Sequence, residues 1–395
     1  MEWKKVKLEH IVDTTSGGTP NRSIPSYWNG NIPWLKSGEL NDAFLESAEE
    51  FISEEGLKNS SAKLFSKGTL LLALYGATAG KLGILNFDSA TNQALCAISP
   101  KNKNLYNKFL LYFLLSEREN IIKDSVGGAQ PNISQSYVRN IAIPLPPLPT
   151  QQRIAAILDE ADALRKADAQ LLAKYDELLQ ASFLELFGDP VRNEKKWEAK
   201  QAAEILIDIV AGTSYGGEEK ELSDDELGVL KISAVTQGFF KSDEYKAVKK
   251  IYINKELVSP RKGDLIFSRA NTRELVGATC IVDKDYPNLF LPDKLWRLDF
   301  NREKCNQYYF KTLLSHEEFR VTLTKTATGT SGSMLNISMD KLKNLVIPLP
   351  PIKLQNRFAS IVAGIEEQKV IATQQLKQSE ALFQSLLQRA FKGEL

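Results

Sequence analysis

The sequence predicts an α+β protein in which two α/β-type domains are separated by a pair of long coiled-coil helices, with a pseudo-two-fold internal repeat. The first observation is a duplication: residues 132–187 are matched by residues 336–391, and each matched pair lies 204 residues apart. The second is that apolar residues recur at helical spacing in both copies. The third is the length of 395 residues, which is enough for two domains with separate cores.

The repeat divides the chain into four parts. We predict a first variable domain at 1–149, a central helix at 150–190, a second variable domain at 191–351 and a C-terminal helix at 352–395. A short apolar strand precedes each helix and ends at a cluster of prolines, because proline has no amide to donate to a ladder. Gly188 and Gly393 are stop signals for the two helices.

Each predicted helix has one apolar stripe that must be covered, since an isolated amphipathic helix is marginal in water. About 36 residues make a helix of roughly 54 Å. The simplest cover is the other copy, although each helix could instead pack only on its own domain. The predicted interface residues of the two helices are Arg153, Ile157, Leu164, Leu171, Leu178, Arg357, Ile361, Ile365, Leu376 and Leu386.

The two variable domains resemble each other only in outline. In each, a Lys-Gly turn at Gly68 or Gly263 is predicted to lead into a buried strand. A polar loop containing glycine follows, and later a helix at about residues 104–122 or 307–323. Such loops either form a recognition surface on a rigid scaffold or are ordinary solvated connections.

Motifs for catalysis are not found in the sequence. It contains neither a P-loop nor a GxGxxG motif. Asp264 and Glu274 are a weak candidate pair for a metal-dependent nuclease, and the three cysteines and two histidines are too scattered for zinc. A net charge of +1 means that any DNA-binding surface must be a local patch. Without a long apolar run or a signal peptide, we expect a soluble cytoplasmic protein with no membrane partner.

The repeats resemble the specificity (S) subunit of type I restriction-modification systems. The resemblance is carried by residues 143–158 and 347–362, by Asn132-Ile133-Ser134 and Asn336-Ile337-Ser338, and by the helix ends. One departure is the second copy's Gln355-Asn356, where the first copy has a pair of glutamines.

This resemblance implies that each variable domain is a target recognition domain that reads one half of a bipartite sequence in double-stranded DNA. It implies that the two long helices pack antiparallel and set the spacing between the domains. The helices would also dock two methyltransferase (M) subunits, which restriction/motor (R) subunits can join. The chain itself would be non-catalytic and hold no cofactor, with S-adenosylmethionine and Mg/ATP on the partner subunits. A duplicated scaffold that binds only other proteins is the alternative from a different class.

Candidate DNA-binding residues were chosen from the polar loops, because lysine and arginine bind phosphates and polar side chains read base edges. In the first domain they are Lys36, Tyr75, Thr78, Lys81, Asn92, Gln93 and Gln130, and in the second Lys231, Arg269, Asn271, Arg273, Lys294, Ser331 and Ser333.

Overall fold

Two helices of 40 and 41 residues, Leu148–Phe187 and Ile352–Lys392, are the longest elements of the chain. We call them the first and second long helix. The computed structural model describes residues 3–125, 132–328 and 334–395. The chain divides into a first unit, Met1–Gln170 with Thr373–Leu395, and a second unit, Leu171–Ala372, so each long helix contributes to both. The mixture of sheets and helices confirms the predicted α+β class.

The first unit contains a five-stranded sheet, a four-stranded sheet and a two-stranded ladder. In spatial order the larger sheets are Val12–Ser16, Leu95–Pro100, Leu70–Ala73, Leu82–Leu85 and Phe44–Leu45, then Glu50–Ile52, Trp28–Leu35, Ser89–Thr91 and Leu64–Phe65. The ladder pairs Lys5–Lys7 with Ala142–Pro144. The shorter helices are Glu54–Lys58, Asn107–Ser116, Arg118–Lys123 and Gln135–Asn140.

The second unit repeats this plan with smaller sheets. Its four-stranded sheet is Leu206–Ala211, Leu295–Phe300, Leu265–Ser268 and Thr279–Ile281, and its three-stranded sheet is Tyr245–Lys249, Glu226–Leu230 and Leu289–Phe290. Two ladders pair Glu198–Gln201 with Val346–Leu349 and Ala270–Asn271 with Leu335–Asn336. The shorter helices are Gln307–Ser315, Glu317–Lys325 and Met339–Lys343.

The four central strands follow the same order in both units. Each unit places its most buried strand, Leu70–Ala73 or Leu265–Ser268, between two neighbours. The turn before that strand contains Gly68 at φ +89° or Gly263 at φ +85°, a backbone conformation that favours glycine. The predicted Lys-Gly turns are therefore confirmed, and the two variable domains share the order of these four strands despite their different sequences.

In the first unit, the start of the first long helix packs against the end of the second. Ile154, Leu158 and Ala161 lie in one buried core with Phe383 and Leu387. The pairing is antiparallel, since Arg153 donates to the backbone of Leu395 while Arg165, further along, lies 4.5 Å over the ring of Phe383.

The second unit contains the complementary halves of the same two helices. Phe183 and Phe187 near the end of the first long helix lie 5.6 and 5.4 Å from the ring of Phe358 near the start of the second. Lys369 forms an ion pair of 2.8 Å with Asp176 at the other end of this stretch. The predicted antiparallel pairing is therefore present within each unit.

A buried glutamine joins each long helix to its own unit. Gln151 is fully buried; its Oε1 accepts from the Tyr106 amide at 2.9 Å and its Nε2 donates to the Asn104 and Pro146 carbonyls at 2.8 Å. Gln355 makes the equivalent bonds to residues 306, 304 and 350. The change from Gln152 to Asn356 noted in the sequence falls on an exposed position.

The predicted stripe of the first long helix is wrong at two positions. Leu164 and Leu178 are 48% and 50% exposed, so they do not belong to the buried seam between the helices. The seam runs instead through Arg165, whose guanidinium covers Phe383, and through Phe183. One residue turns a helix by about 100°, so a register error of one position moves a side chain from the seam to its flank.

The remaining interface predictions have mixed burial. Ile365 is buried, whereas Arg153 and Arg357 are exposed; the partly buried ones are Ile157, Leu171, Ile361, Leu376 and Leu386. Two predicted helices are each divided in two, with breaks at Glu117 and His316. The strand predicted at 141–143 is observed at Ala142–Pro144. Pro144 belongs to it because the strand is paired with Lys5–Lys7 and the ladder continues from the Leu145 amide to the Lys4 carbonyl.

Candidate nucleic-acid interface

Backbone hydrogen bonds hold three polar segments of the first unit together. The first hairpin loop (residues 74–81) is joined to residue 94 by a bond of 2.8 Å from the Leu74 amide to the Ala94 carbonyl. It is joined to residue 133 by the Ile133 amide, and Tyr75 forms a β-bridge with Asn132. Tyr75 and Thr78 therefore lie on a loop fixed to the segment that carries Asn92 and Gln93.

Lys36 lies at the same end of the sheets. The Asn92 amide donates to the Leu35 carbonyl at 2.9 Å, which brings Lys36 next to Asn92. Gln93 Oε1 accepts from the Thr19 hydroxyl at 2.6 Å. Five of the predicted residues thus lie on segments that backbone hydrogen bonds join at this end of the sheets: Lys36, Tyr75, Thr78, Asn92 and Gln93. Lys81, at the base of the first hairpin loop, is exposed.

Lys36 belongs to an ionic cluster. Its Nζ lies 2.8 Å from Glu50 and 3.1 Å from Glu49, and hydrogen bonds to Glu50 and then Glu49 raise its pKa. Arg22 contacts Glu50 at 2.6 Å and its guanidinium lies 3.9 Å over the ring of Trp28. The Arg22 bond is the main reason why the pKa of Glu50 is lowered.

Sequence analysis did not identify Arg22 as a member of this face. Its only local signal is a polar stretch after Gly17-Gly18, and that signal does not reveal the partners Trp28 and Glu50.

The second unit has the same backbone frame. In the second hairpin loop (residues 269–277), the Arg269 amide donates to the Lys294 carbonyl at 3.0 Å, and the Ile337 amide donates to the Arg269 carbonyl at 2.8 Å. Arg269 and Lys294 therefore occupy the positions of Leu74 and Ala94. Asn271 pairs with Leu335 across the neighbouring ladder.

Asp293 orients Arg269. Arg269 Nε donates to the Asp293 carbonyl at 3.1 Å, and Nη2 lies 3.4 Å from its carboxylate. The Ser214 hydroxyl donates to the same carboxylate, and this is the main reason why the pKa of Asp293 is lowered. The guanidinium also lies 5.8 Å from the Trp296 ring centroid, so its direction is restricted on two sides.

Lys231 and Lys294 line one open cavity of about 380 Å³, together with Tyr215, Pro292 and Lys246. Lys231 Nζ lies 3.1 Å from Glu244 and 3.6 Å from Glu219, and the bond to Glu244 is the main reason why the pKa of Lys231 is raised. Arg273 is exposed on the second hairpin loop. Three predicted residues, Gln130, Ser331 and Ser333, lie outside the described residues.

The described ranges of the chain hold no cluster of three or more His, Cys, Asp and Glu side chains that could bind a metal ion. Asp264 accepts from the Arg261 amide at 2.8 Å, so it has a structural role in the turn before a buried strand. Burial raises the pKa of each of the three cysteines, Cys96, Cys280 and Cys305, to about 12. They are therefore neutral thiols near pH 7 and poor nucleophiles.

Within the described residues, no helix has the length and apolar character needed to span a bilayer.

A family model described as the type I restriction modification DNA specificity domain matches residues 1–174 and 195–380. The chain is 25% identical to the type I restriction enzyme MjaIX specificity subunit of Methanocaldococcus jannaschii, covering 100% of this chain and 94% of that protein. It is 24% identical to the type I restriction enzyme EcoKI specificity subunit of Escherichia coli, covering 92% of this chain and 82% of that protein.

Solved structures show the same fold. The S subunit of a type I restriction-modification system from M. genitalium has a TM-score of 0.59 at 16% identity and covers 99% of this chain and 96% of its own. A chain from work on complex assembly and conformational transition of the type I R-M system has a TM-score of 0.60 at 19% identity, with 100% and 98% covered. Since the family model spans both halves of the repeat, the chain belongs to the family of type I restriction modification DNA specificity domains.

Proposed function

We propose that this chain gives a type I restriction-modification complex its DNA sequence specificity, with each unit reading one half of a bipartite target in double-stranded DNA. One observation carries the proposal: the two units hold equivalent loops in one backbone frame but place different side chains there. Leu74 and Ala94 of the first unit correspond to Arg269 and Lys294 of the second. A common scaffold with different reading groups is suited to two different half-sites.

The side chains on these faces suit duplex DNA. Lysine and arginine supply affinity through phosphates, while Asn92, Gln93 and Asn271 have the amides that pair with adenine. We infer that the chain has no catalytic activity, and that methylation and cleavage belong to partner subunits that carry S-adenosylmethionine and Mg/ATP. Such a complex acts on DNA in the cytoplasm.

The flanks of the long helices support docking of other subunits. Leu164 and Leu382 in the first unit, and Leu178, Val370 and Ile371 in the second, are each 46–71% exposed. Apolar side chains exposed in rows on a helix pair favour association with another protein. We propose that two methyltransferase subunits bind there, so that Leu164 and Leu178 remain predicted interface residues even though they are absent from the seam. Restriction/motor subunits would join this assembly.

The long helices are proposed to set the length of the non-specific spacer between the half-sites. Each is a continuous helix that contributes residues to both units. Inserting seven residues at matched points of both helices, near Asp168 and Ala372, should lengthen the accepted spacer while leaving both half-sites unchanged. An unchanged spacer would contradict this part of the proposal.

The main test is to map methylated adenines in cells that carry this chain with a methyltransferase subunit of the same system. We expect one bipartite motif. Replacing residues 1–140 with the corresponding part of another specificity subunit should change one half-site only. A chimera that changes both halves or neither would refute the assignment of one half-site to each unit. A protein-binding scaffold would give no motif dependent on this chain.

A further inference from the structure

We propose that Lys36 and Lys231 are the lysines with which the two units read bases, whereas exposed cations without a carboxylate partner bind the DNA phosphates. This inference rests on the proposed function and assigns different roles to cations on the same surface. Glu50 and Glu244 are then positioning residues that hold the two reading lysines in place.

In the first unit, Lys36 directly follows the strand Trp28–Leu35. Glu50 begins the neighbouring strand, Glu50–Ile52, and lies 2.8 Å from the Lys36 ammonium. With Arg22 on the other side of Glu50 and Glu49 on the other side of Lys36, two cations face two carboxylates. These four ion-paired residues together carry no net charge, the Glu39 carboxylate accepts from the Lys36 amide at 2.8 Å, and the Lys36 side chain is 35% exposed.

The second unit repeats this arrangement with different neighbours. Lys231 directly follows the strand Glu226–Leu230, and Glu244 directly precedes the antiparallel neighbour Tyr245–Lys249. Their side chains meet at 3.1 Å and are each 30% exposed. Glu244 also accepts from the Ser233 hydroxyl at 2.7 Å. A lysine at a strand end held by a glutamate of the adjacent strand thus occurs in both units, although their loops differ.

A compensated lysine is poorly suited to a phosphate. The adjacent carboxylate repels the phosphate, and an already neutral cluster releases few counterions from DNA. An ammonium group has three N–H donors, however, and the carboxylates do not occupy all of them. A donor therefore remains for an uncharged acceptor. Because the ammonium is held in place, it can select the O6 and N7 acceptors of guanine by position.

Lys81 and Arg273 differ from these two lysines. Both are exposed on the hairpin loops, and neither forms an ion pair with another residue in the described part of the chain. Neither charge is neutralised by an ion pair, although the Glu274 carboxylate interacts electrostatically with Arg273, so both side chains can bind the DNA backbone. They are therefore the matched controls for Lys36 and Lys231, one in each unit.

The test measures binding of the full chain with its methyltransferase subunit to two DNA duplexes, one with the mapped motif and one scrambled, over a range of salt concentrations. For K231A and K36A we expect the affinity for the motif duplex to fall about 10-fold or more and the affinity for the scrambled duplex to change little. The slope of log affinity against log salt concentration should stay unchanged. K81A and R273A should weaken binding to both duplexes equally and lower the slope by about 1. E244Q removes the closer of the two carboxylates beside Lys231 and leaves Glu219 at 3.6 Å, so the slope should rise by up to about 0.9 while the preference for the motif falls.

The inference would be overturned if K231A lowered the affinity for both duplexes equally and lowered the salt slope by about 1. K231M, which keeps an unbranched apolar stem of similar length, provides a second variant should K231A lower the melting temperature. If the wild-type complex bound both duplexes equally, the proposed function itself would fail, and this result is distinct from any variant result above.

Discussion

Replacing Gln151 with alanine tests whether one buried side chain anchors the first long helix to the first unit. The side chain makes three hydrogen bonds to backbone groups at residues 104, 106 and 146. Each contributes about 1 kcal/mol, and the buried Tyr106 amide left without an acceptor costs roughly a further 1–3 kcal/mol. We therefore expect the free energy of unfolding of the first unit to fall by roughly 4–6 kcal/mol, a large part of the ~5–15 kcal/mol of a typical domain.

The assay is urea unfolding of the full chain combined with native-state hydrogen exchange of the peptide that contains Tyr106. Exchange is needed because two units can unfold separately, and a single transition would not identify the weakened one. Q355A should have the matching effect at the Asn306 amide in the second unit. Q152A changes an exposed neighbour and is the control. If Q151A cost less than about 1 kcal/mol, or no more than Q152A, the anchoring argument would be wrong.

Two further predictions concern the second unit. Burial lowers the pKa of Lys311 in the folded chain. The unfolded chain therefore binds a proton at this side chain more tightly than the folded chain does. The free energy of unfolding should then rise with pH until the pH reaches the pKa of an ordinary lysine. K311L, which copies Leu111 at the equivalent position of the first unit, should stabilise the unit at pH 7 by roughly 1–3 kcal/mol and remove this rise, as melting curves at pH 7 to 10 would show. R269K removes the guanidinium group that contacts Asp293, and in methylation mapping it should weaken the base preference in one half-site by about 10-fold. Weaker base preference in both half-sites would contradict the assignment.

The duplication allowed much of the fold to be predicted. A match without gaps at one offset identified both long helices, the resemblance to the specificity subunits implied their antiparallel pairing, and the Lys-Gly turns identified a buried strand in each unit. The stripe of the first long helix was less accurate. Arg165 takes a seam position because its guanidinium can cover Phe383, and a count of apolar residues does not include an arginine.

The candidate interface was predicted by residue type but not by arrangement. Lys36 and Lys231 were candidates because each ends a short apolar segment, and Arg269 because it begins a polar loop that contains glycine; all three stay predicted DNA-binding residues. Their partners were not predictable, because Glu50 and Asp293 come close only when separate strands pair. Arg22 was missed for the same reason, since its place depends on Trp28 and Glu50.

The first unit is completed by residues that are synthesised late. Phe383 and Phe391 pack 5.2–6.2 Å from the aromatic rings of Phe109, Tyr112 and Phe113, and about 200 residues of the second unit are translated in between. At ~5–20 residues per second, the first unit waits roughly 10–40 s on the ribosome for the helix that covers its core. During this interval its apolar face is available to chaperones, and a premature stop codon in the second unit would leave the first unit incomplete as well.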